Sequence, residues 1–347
     1  MSTTMKKEIF EEPSAMERCL KSNEATLNKL AETLQAANIC NVVVAARGTS
    51  DHAGIYGKYI IESMLGIPVG LAACSTTTLY GSKLNFNNML VIGISQSGAA
   101  ADVLELVKNA KETGAITLTI TNNLESPLAK AADFHLYCDA GLEESVAATK
   151  TFGTQMYLIA QFVARWAGKT DLIKKLEAVP KTMAQILLQD ATIAQIATRY
   201  RFMEEAFILS RGINYPLALE ATLKIQETNY VRAKAYPISD FHHGPFAMIS
   251  EGMPVFMYMS DGPVKEDSKA MIEKLQNAGA DLIMISDDDE LLAQGDLGFK
   301  IPSADKEDMI ASFYFAVFAQ LFAANLAEVK GRNPDAPRGL KKVTITK

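Results

Sequence analysis

VIGISQSGAAADVL, residues 91–104, joins an apolar run to an alanine-rich, helix-forming run through Ser95-Gln96-Ser97-Gly98. A strand that ends in three hydrogen-bonding side chains and a glycine, just before a helix, is a layout that can hold an anion. The helix N-terminus offers unpaired N–H groups and positive dipole character, and short hydroxyls and an amide complete the shell. The competing reading is that Ser97 only caps the helix, as serine does at many helix starts. On these residues alone both readings stand open.

The same grammar extends on either side. NVVVAARG (41–48) reads as a strand ending at a glycine, followed by helical IYGKYIIESML. IPVGLAAC, NMLVIGIS, a helix through Val103–Thr113, AITLTIT and DFHLYCD follow in turn. Short β-branched runs separated by helix-length segments predict a parallel sheet covered on both faces, hence an α/β, doubly wound architecture. Before residue 38 the pattern is helical, with Leu20, Leu27, Leu30 and Leu34 on one face.

The pattern then repeats. EAFILSRG (205–212) echoes VVVAARG (42–48), and Gly48 and Gly212 lie 164 residues apart. VFMYMSDG (255–262) echoes LVIGISQSG, with Ser260 lying 165 residues after Ser95. DLIMISDD (281–288) echoes AITLTITNN at nearly the same offset. Near-constant spacing of three landmarks predicts a duplicated α/β domain. The expected division is a helical segment over 1–36, a phosphate-binding domain over 37–180, a second domain over 181–330 and a tail over 331–347. The second copy lacks Ser-Gln-Ser, so the halves have diverged.

Composition narrows the partners. The 347 residues are 48% hydrophobic, enough for two cores. A net charge of −6 with no basic, aromatic-laced cluster argues against nucleic acid. Cys19, Cys40, Cys74 and Cys138 show no metal-ligand spacing and read as reduced thiols of a cytoplasmic protein. MSTTMKKEIFEEPSAM has no apolar signal core, so export is not expected. The segment 309–327 carries no charge and meets the length of a membrane span. Ser312, Gln320 and Asn325 within it favour a helix buried in a core or a subunit interface instead.

Several residues carry chemistry. Gly48-Thr49-Ser50 follows its strand as Ser95-Gln96-Ser97-Gly98 follows another, and two hydroxyl-rich loops at the carboxyl ends of parallel strands can converge on one phosphate. Neither GxGxxG nor GxxxxGK[ST] occurs, so a small phosphorylated metabolite fits better than a nucleotide. Glu220, Lys224 and Glu227 share one helical face, as a salt-bridge ladder or a functional group; on an otherwise apolar helix the functional reading is preferred. Of His242 and His243, adjacent side chains diverge, so proton transfer is expected rather than metal binding. Lys341 and Lys342 in the tail read simply as a solvated basic terminus.

In order, KEIFEEPSAM, ARGTSDHAG, ISQSG, ESVAATKTF, YPLALEATLKIQET, HHGPFAMI and PRGLKKVT make the chain resemble the sugar isomerase (SIS) family over nearly its whole length. The specific likeness is to the two-SIS isomerase half of glucosamine-6-phosphate synthase and its relatives. The resemblance implies two flavodoxin-like SIS domains and a sugar-phosphate site from Ser50, Ser95, Gln96 and Ser97, with Thr49 and Gly48 beside them. Val146 and Thr149 match a sugar-contacting loop. Glu227 matches the base that moves a proton between carbons 1 and 2, and His243 the ring-opening histidine, which a neighbouring subunit can supply. Lys342 matches the lysine that forms an imine with the open ketose, and Lys224 a supporting lysine. This reverses the solvated-tail reading. No cofactor or metal is implied; a homodimer is, with the 309–327 helix a candidate interface.

The departures are equally specific. The synthase carries a glutaminase domain with cysteine after the initiator methionine, whereas this chain opens Met1-Ser2, so no glutamine-derived ammonia is expected. Ala99, Ala100 and Ala148 replace a glutamate, a hydroxyl residue and a serine of the family pattern. The wording of ARGTSDHAG and SVAATK is closer to the SIS-type glucosamine-6-phosphate deaminases. The expected activity is therefore glucosamine 6-phosphate to fructose 6-phosphate plus ammonia. Alternatives are a fructosamine-6-phosphate deglycase, a phosphosugar aldose–ketose isomerase or, outside enzymes, a sugar-phosphate-sensing module.

Overall fold

In a computed structural model of the chain, residues 3–342 are described. The first sheet contains β1 (Asn41–Ala45), β2 (Val69–Leu71), β3 (Met89–Ile94), β4 (Ile116–Thr121) and β5 (Phe134–Tyr137), in the order β2-β1-β3-β4-β5. The second contains β6 (Glu205–Ser210), β7 (Arg232–Pro237), β8 (Pro254–Tyr258), β9 (Asp281–Ser286) and β10 (Leu297–Lys300), in the order β10-β9-β8-β6-β7. Every pairing is parallel. Numbered from its own first strand, each sheet reads 2-1-3-4-5. That is the flavodoxin-like winding, in which the chain reverses direction between its first and third strands and leaves a crevice at their carboxyl ends.

The repeat foreseen in the sequence is a repeat of strands. From Asn41 to Glu205 is 164 residues, and from Met89 to Pro254 and Ile116 to Asp281 is 165 in both cases. All but the first residue of β3, β4 and β9 is buried, because helices cover both faces and no polar side of the strand is needed.

The chain forms two compact units. The unit around the first sheet holds Glu11–Glu144, Ala148–Pro180 and, from the tail, Lys341 and Lys342. Its helix Glu12–Ala36 packs on the helix Lys150–Trp166. Asn23 binds the backbone of Tyr137 at the edge of β5 through both its amide nitrogen (2.7 Å) and its oxygen (2.8 Å). The unit around the second sheet takes, of the described residues, 3–10, Ser145–Ala147 and Lys181–Leu340. The helical start of the chain is thus two helices, Thr4–Phe10 and Glu12–Ala36, belonging to different units. Asp335 accepts from the N–H groups of Thr4 and Met5, both at 2.8 Å, and so caps the first of them from the tail.

The apolar segment 309–327 lies in the helix Asp308–Val329, buried throughout from Asp308 to Ala327. By length and composition it is the one helix among the described residues that could cross a membrane, and it is a core helix. Helices Tyr215–Asn229 and Asp190–Arg199 pack on it, and Phe322 meets the rings of Tyr200 and Phe256. Of the two readings offered by the sequence, core helix or subunit interface, this packing supports the core: its surface is covered by its own unit.

Candidate functional site

In the first unit the crevice between β1 and β3 is lined by the two hydroxyl loops. Gly48, at φ +55°, precedes the helix Thr49–Leu65, and Ser50 is buried in that helix's first turn. Arg47 bonds the buried carboxylate of Asp102 at 2.7 Å, linking the end of β1 to the first turn of the helix Ala101–Glu112 that follows β3. Burial pushes the neighbouring Asp51 carboxyl up, against the opposing pull of His52 and Arg47.

Ser97 does not cap the following helix. The residue before that helix is Ala100, which makes no side-chain capping bond. Instead the Ser97 hydroxyl accepts from the N–H of Ala99 (3.3 Å) and the Ser95 hydroxyl from that of Gly98 (3.2 Å), folding the loop on itself. Gly98 sits at φ +65°, and a Cβ there would lie 2.1 Å from the Ser126 hydroxyl oxygen. Ser95 and Gly98 are buried, while Gln96 and Ser97 remain partly exposed.

A run of hydrogen bonds ties these loops along the carboxyl edge of the sheet. The N–H of Asn122, after β4, donates to the carbonyl of Gln96 at 2.9 Å. The Asn122 side chain accepts from the Ala140 N–H (3.0 Å) and donates to the Gly141 carbonyl (2.8 Å). Lys150 Nζ donates to the Leu142 carbonyl (2.5 Å) and to Glu11 (2.6 Å). Glu143 follows, its side chain wholly buried. One carboxylate oxygen accepts from the N–H groups of Thr149 (3.0 Å) and Thr151 (3.1 Å). The other accepts from the Thr151 hydroxyl (2.8 Å) and from Lys342 Nζ (2.8 Å). Glu143 therefore does the capping that Thr149, the residue before the helix Lys150–Trp166, does not do itself. Val146 and Ala148 are half-buried and Thr149 is buried.

In the second unit, Lys224 is fully buried between Glu227 (2.6 Å) and Glu220 (3.3 Å). Burial depresses an ammonium, but the charges of Glu220 and Glu227 outweigh it and hold the Lys224 pKa well above the lysine range. Glu220 is 1% exposed and Glu227 20%, so Glu227 alone of the two carboxylates reaches solvent. The solvated-ladder reading fails here, because the helix turns this face inward. His242 and His243 are exposed; Lys274 Nζ lies 3.2 Å from Nδ1 of His242, whose pKa is lowered by desolvation and by that lysine. No group of three or more His, Cys, Asp or Glu among the described residues is arranged to hold a metal.

The second crevice, between β6 and β8, is filled from within. Ser260 donates to Asp308 at 2.6 Å, and Asn214 donates to the Ser260 hydroxyl at 3.0 Å and accepts from Ser312 at 2.8 Å. A Cβ at Gly262 would lie 2.4 Å from Asp308 Oδ1. Sequence reading singled out none of Arg47, Asp102, Asn122, Glu143 or Asp308. The stretch ESVAATKTF begins one residue after Glu143, and nothing local marks that glutamate as buried.

Two tandem flavodoxin-like domains, with hydroxyl loops at the switch point of one, define a double-SIS architecture. The chain belongs to the SIS-domain family, whose model matches residues 35–165 and 203–330. It is 35% identical over 99% of its length to a glutamine–fructose-6-phosphate aminotransferase (isomerizing) of Aquifex aeolicus, and 32% over 98% to that of Escherichia coli. It spans 57% and 58% of those two proteins. The C-terminal domain of a glucosamine-fructose-6-phosphate aminotransferase from Francisella tularensis superposes with a TM-score of 0.87 at 26% identity, covering 97% of this chain and 99% of that one. A glucosamine-6-phosphate deaminase from Thermotoga maritima shares the fold, with a TM-score of 0.77 at 21% identity and coverage of 99% and 100%.

Proposed function

We propose that the protein is an enzyme acting on a phosphorylated sugar by proton transfer between adjacent carbons, and that its reaction is deamination with isomerisation of glucosamine 6-phosphate to fructose 6-phosphate and ammonia. The observation that carries the enzymatic reading is Glu227, a partly exposed carboxylate bonded at 2.6 Å to the fully buried ammonium of Lys224. A fixed acid–base group of this kind serves proton shuttling, for which a binding module has no use. The names of the relatives, glutamine–fructose-6-phosphate aminotransferases (isomerizing), support this reading.

Within this reading Ser50, Ser95, Gln96 and Ser97, with the backbone of Gly48 and Thr49, hold the phosphate. Thr149 and Val146 contact the sugar, Glu227 moves the proton, and Lys342 forms an imine with the open ketose. The exposed His243 opens the ring, in a homodimer from a second copy. The deaminase direction, rather than synthesis from glutamine, follows the likeness of ARGTSDHAG and SVAATK to the SIS-type deaminases. Ala99, Ala100 and Ala148 bear on which amino sugar is taken.

The test is a substrate panel on purified protein. Release of ammonia and fructose 6-phosphate from glucosamine 6-phosphate, lost in Glu227→Gln and Lys342→Ala, supports the reading. Amine release only from fructosamine 6-phosphates moves the protein to the deglycases. Sugar-phosphate binding without turnover of any substrate overturns catalysis in favour of a sensor.

A further inference from the structure

We infer that Glu143 is the positioning residue for Lys342, so that one buried carboxylate sets both the start of the helix Lys150–Trp166 and the place of the reactive amine. The inference rests on the imine assignment made above for Lys342. Four donors saturate Glu143: the N–H groups of Thr149 and Thr151 on one oxygen, the Thr151 hydroxyl and Lys342 Nζ on the other. Its side chain is 0% exposed, whereas that of Lys342 is 24% exposed. The carboxylate cannot swing, because two backbone groups fix one oxygen, and the lysine that approaches its second oxygen takes its direction from it. Lys342 follows the exposed stretch Arg338–Lys341 and is itself partly buried. The bond to Glu143 restricts the rotamers of this long side chain. Helix capping alone leaves the fourth bond unexplained, since the three groups at 149–151 already satisfy the cap.

The chemistry explains why placement matters. The Lys342 ammonium gives one proton to water, and its lone pair forms a bond to C2 of the open ketose as the C=O π pair moves to oxygen. That oxygen takes up two protons, one of them from the nitrogen, and leaves as water. A protonated imine remains. Attack requires Nζ within near-attack distance of C2, and misplacement by about 1 Å costs on the order of 100-fold. Glu143 does not touch the sugar in this step; it acts through Lys342.

The experiment is reductive trapping. Full-length protein is mixed with fructose 6-phosphate and sodium borohydride, and the adduct on the Lys342 peptide is followed by mass spectrometry, alongside affinity for inorganic phosphate and thermal stability. Wild type is expected to trap at Lys342. Glu143→Gln keeps an acceptor for the two backbone N–H groups but presents an NH₂ group to the lysine. It is expected to trap roughly 10- to 100-fold more slowly, with phosphate affinity within about twofold of wild type. Thr151→Val, which removes only the hydroxyl sharing the oxygen with Lys342, is expected to trap a few-fold more slowly and decides the matter if Glu143→Gln does not fold. Trapping at the wild-type rate in a folded variant, with only a lowered Tm, reduces Glu143 to a helix cap and overturns the inference while leaving the imine intact. Absence of any Lys342 adduct in wild type overturns the imine assignment, and the inference with it.

Discussion

The Ser260 hydroxyl donates to Asp308 Oδ1 at 2.6 Å, at the place in the second repeat where the first repeat carries Ser95. A carboxylate of the chain itself sits where the first repeat presents hydroxyls to the crevice. The second repeat's switch point is thus occupied by side chains of its own unit. Asp308 enters on the first turn of the apolar helix Asp308–Val329, and Asn214, Ser260 and Ser312 close a network around it.

That network makes stability depend on pH. Burial raises the Asp308 carboxyl above its ordinary value, Asp287 and Glu307 add to the rise, and the Ser260 bond opposes it. Between the unfolded value and the raised folded one, the native state binds more protons than the unfolded state. Stability contributed by Asp308 is therefore present at low pH and falls as pH rises through that window, then levels off. Asp308→Asn keeps an acceptor for Ser260 without the charge. Its Tm relative to wild type should rise from pH 4 to pH 7; a constant difference across that range counts against the assignment.

Lys224 supports a different measurement. Replacing it by Met leaves Glu220, 1% exposed, as a buried charge without its ammonium. Loss of one partner from a buried ion pair costs about 3–5 kcal/mol. Urea unfolding of Lys224→Met should show a loss of that size, and adding Glu220→Gln should restore part of it. If the double variant is no more stable than the single one, the buried charge is not the cause.

Gly98 is the tightest point of the hydroxyl loop. Alanine there would adopt φ +65° and press its Cβ against Ser126. Overpacking costs about 1–3 kcal/mol, and here the loop itself must move. Calorimetry with fructose 6-phosphate should show affinity falling in Gly98→Ala by more than any loss of Tm explains. Unchanged affinity would remove this loop from phosphate binding.

The tail has its own post. Tyr230, left-handed at φ 55°, lies between the guanidinium groups of Arg332 (4.7 Å) and Arg338 (4.6 Å), and its hydroxyl accepts from the Arg338 N–H at 2.7 Å. Each cation–π contact at such a site is worth about 0.5–1 kcal/mol. Tyr230→Ala should speed tryptic cleavage after Arg338 by roughly tenfold, the size of a 1.4 kcal/mol loss, with Tyr230→Phe intermediate. Equal cleavage rates in all three proteins would mean that the tail is held elsewhere.

The sequence alone marked the five strands of the first sheet, three of the second (β6, β8 and β9), their parallel class and the duplication, because continuous β-branched runs and a constant offset are local and periodic signals, whereas β7 and β10 went unread. It also marked Ser95-Gln96-Ser97-Gly98 and Gly48-Thr49-Ser50, since loops at strand ends announce themselves by composition. Lys342 looked like a solvated terminus until resemblance suggested otherwise, and Glu143 and Asp308 were not singled out. Tertiary structure decided these. Glu143 and Lys342 are 199 residues apart in the chain, and Ser260 and Asp308 are 48 apart. A carboxylate's role depends on which donors surround it after burial, and no spacing within a helix or strand records that. Ser97 shows the same limit in reverse: the residue types suited a helix cap, and only the path of the loop from Ser95 to Ala100 turned its hydroxyl elsewhere.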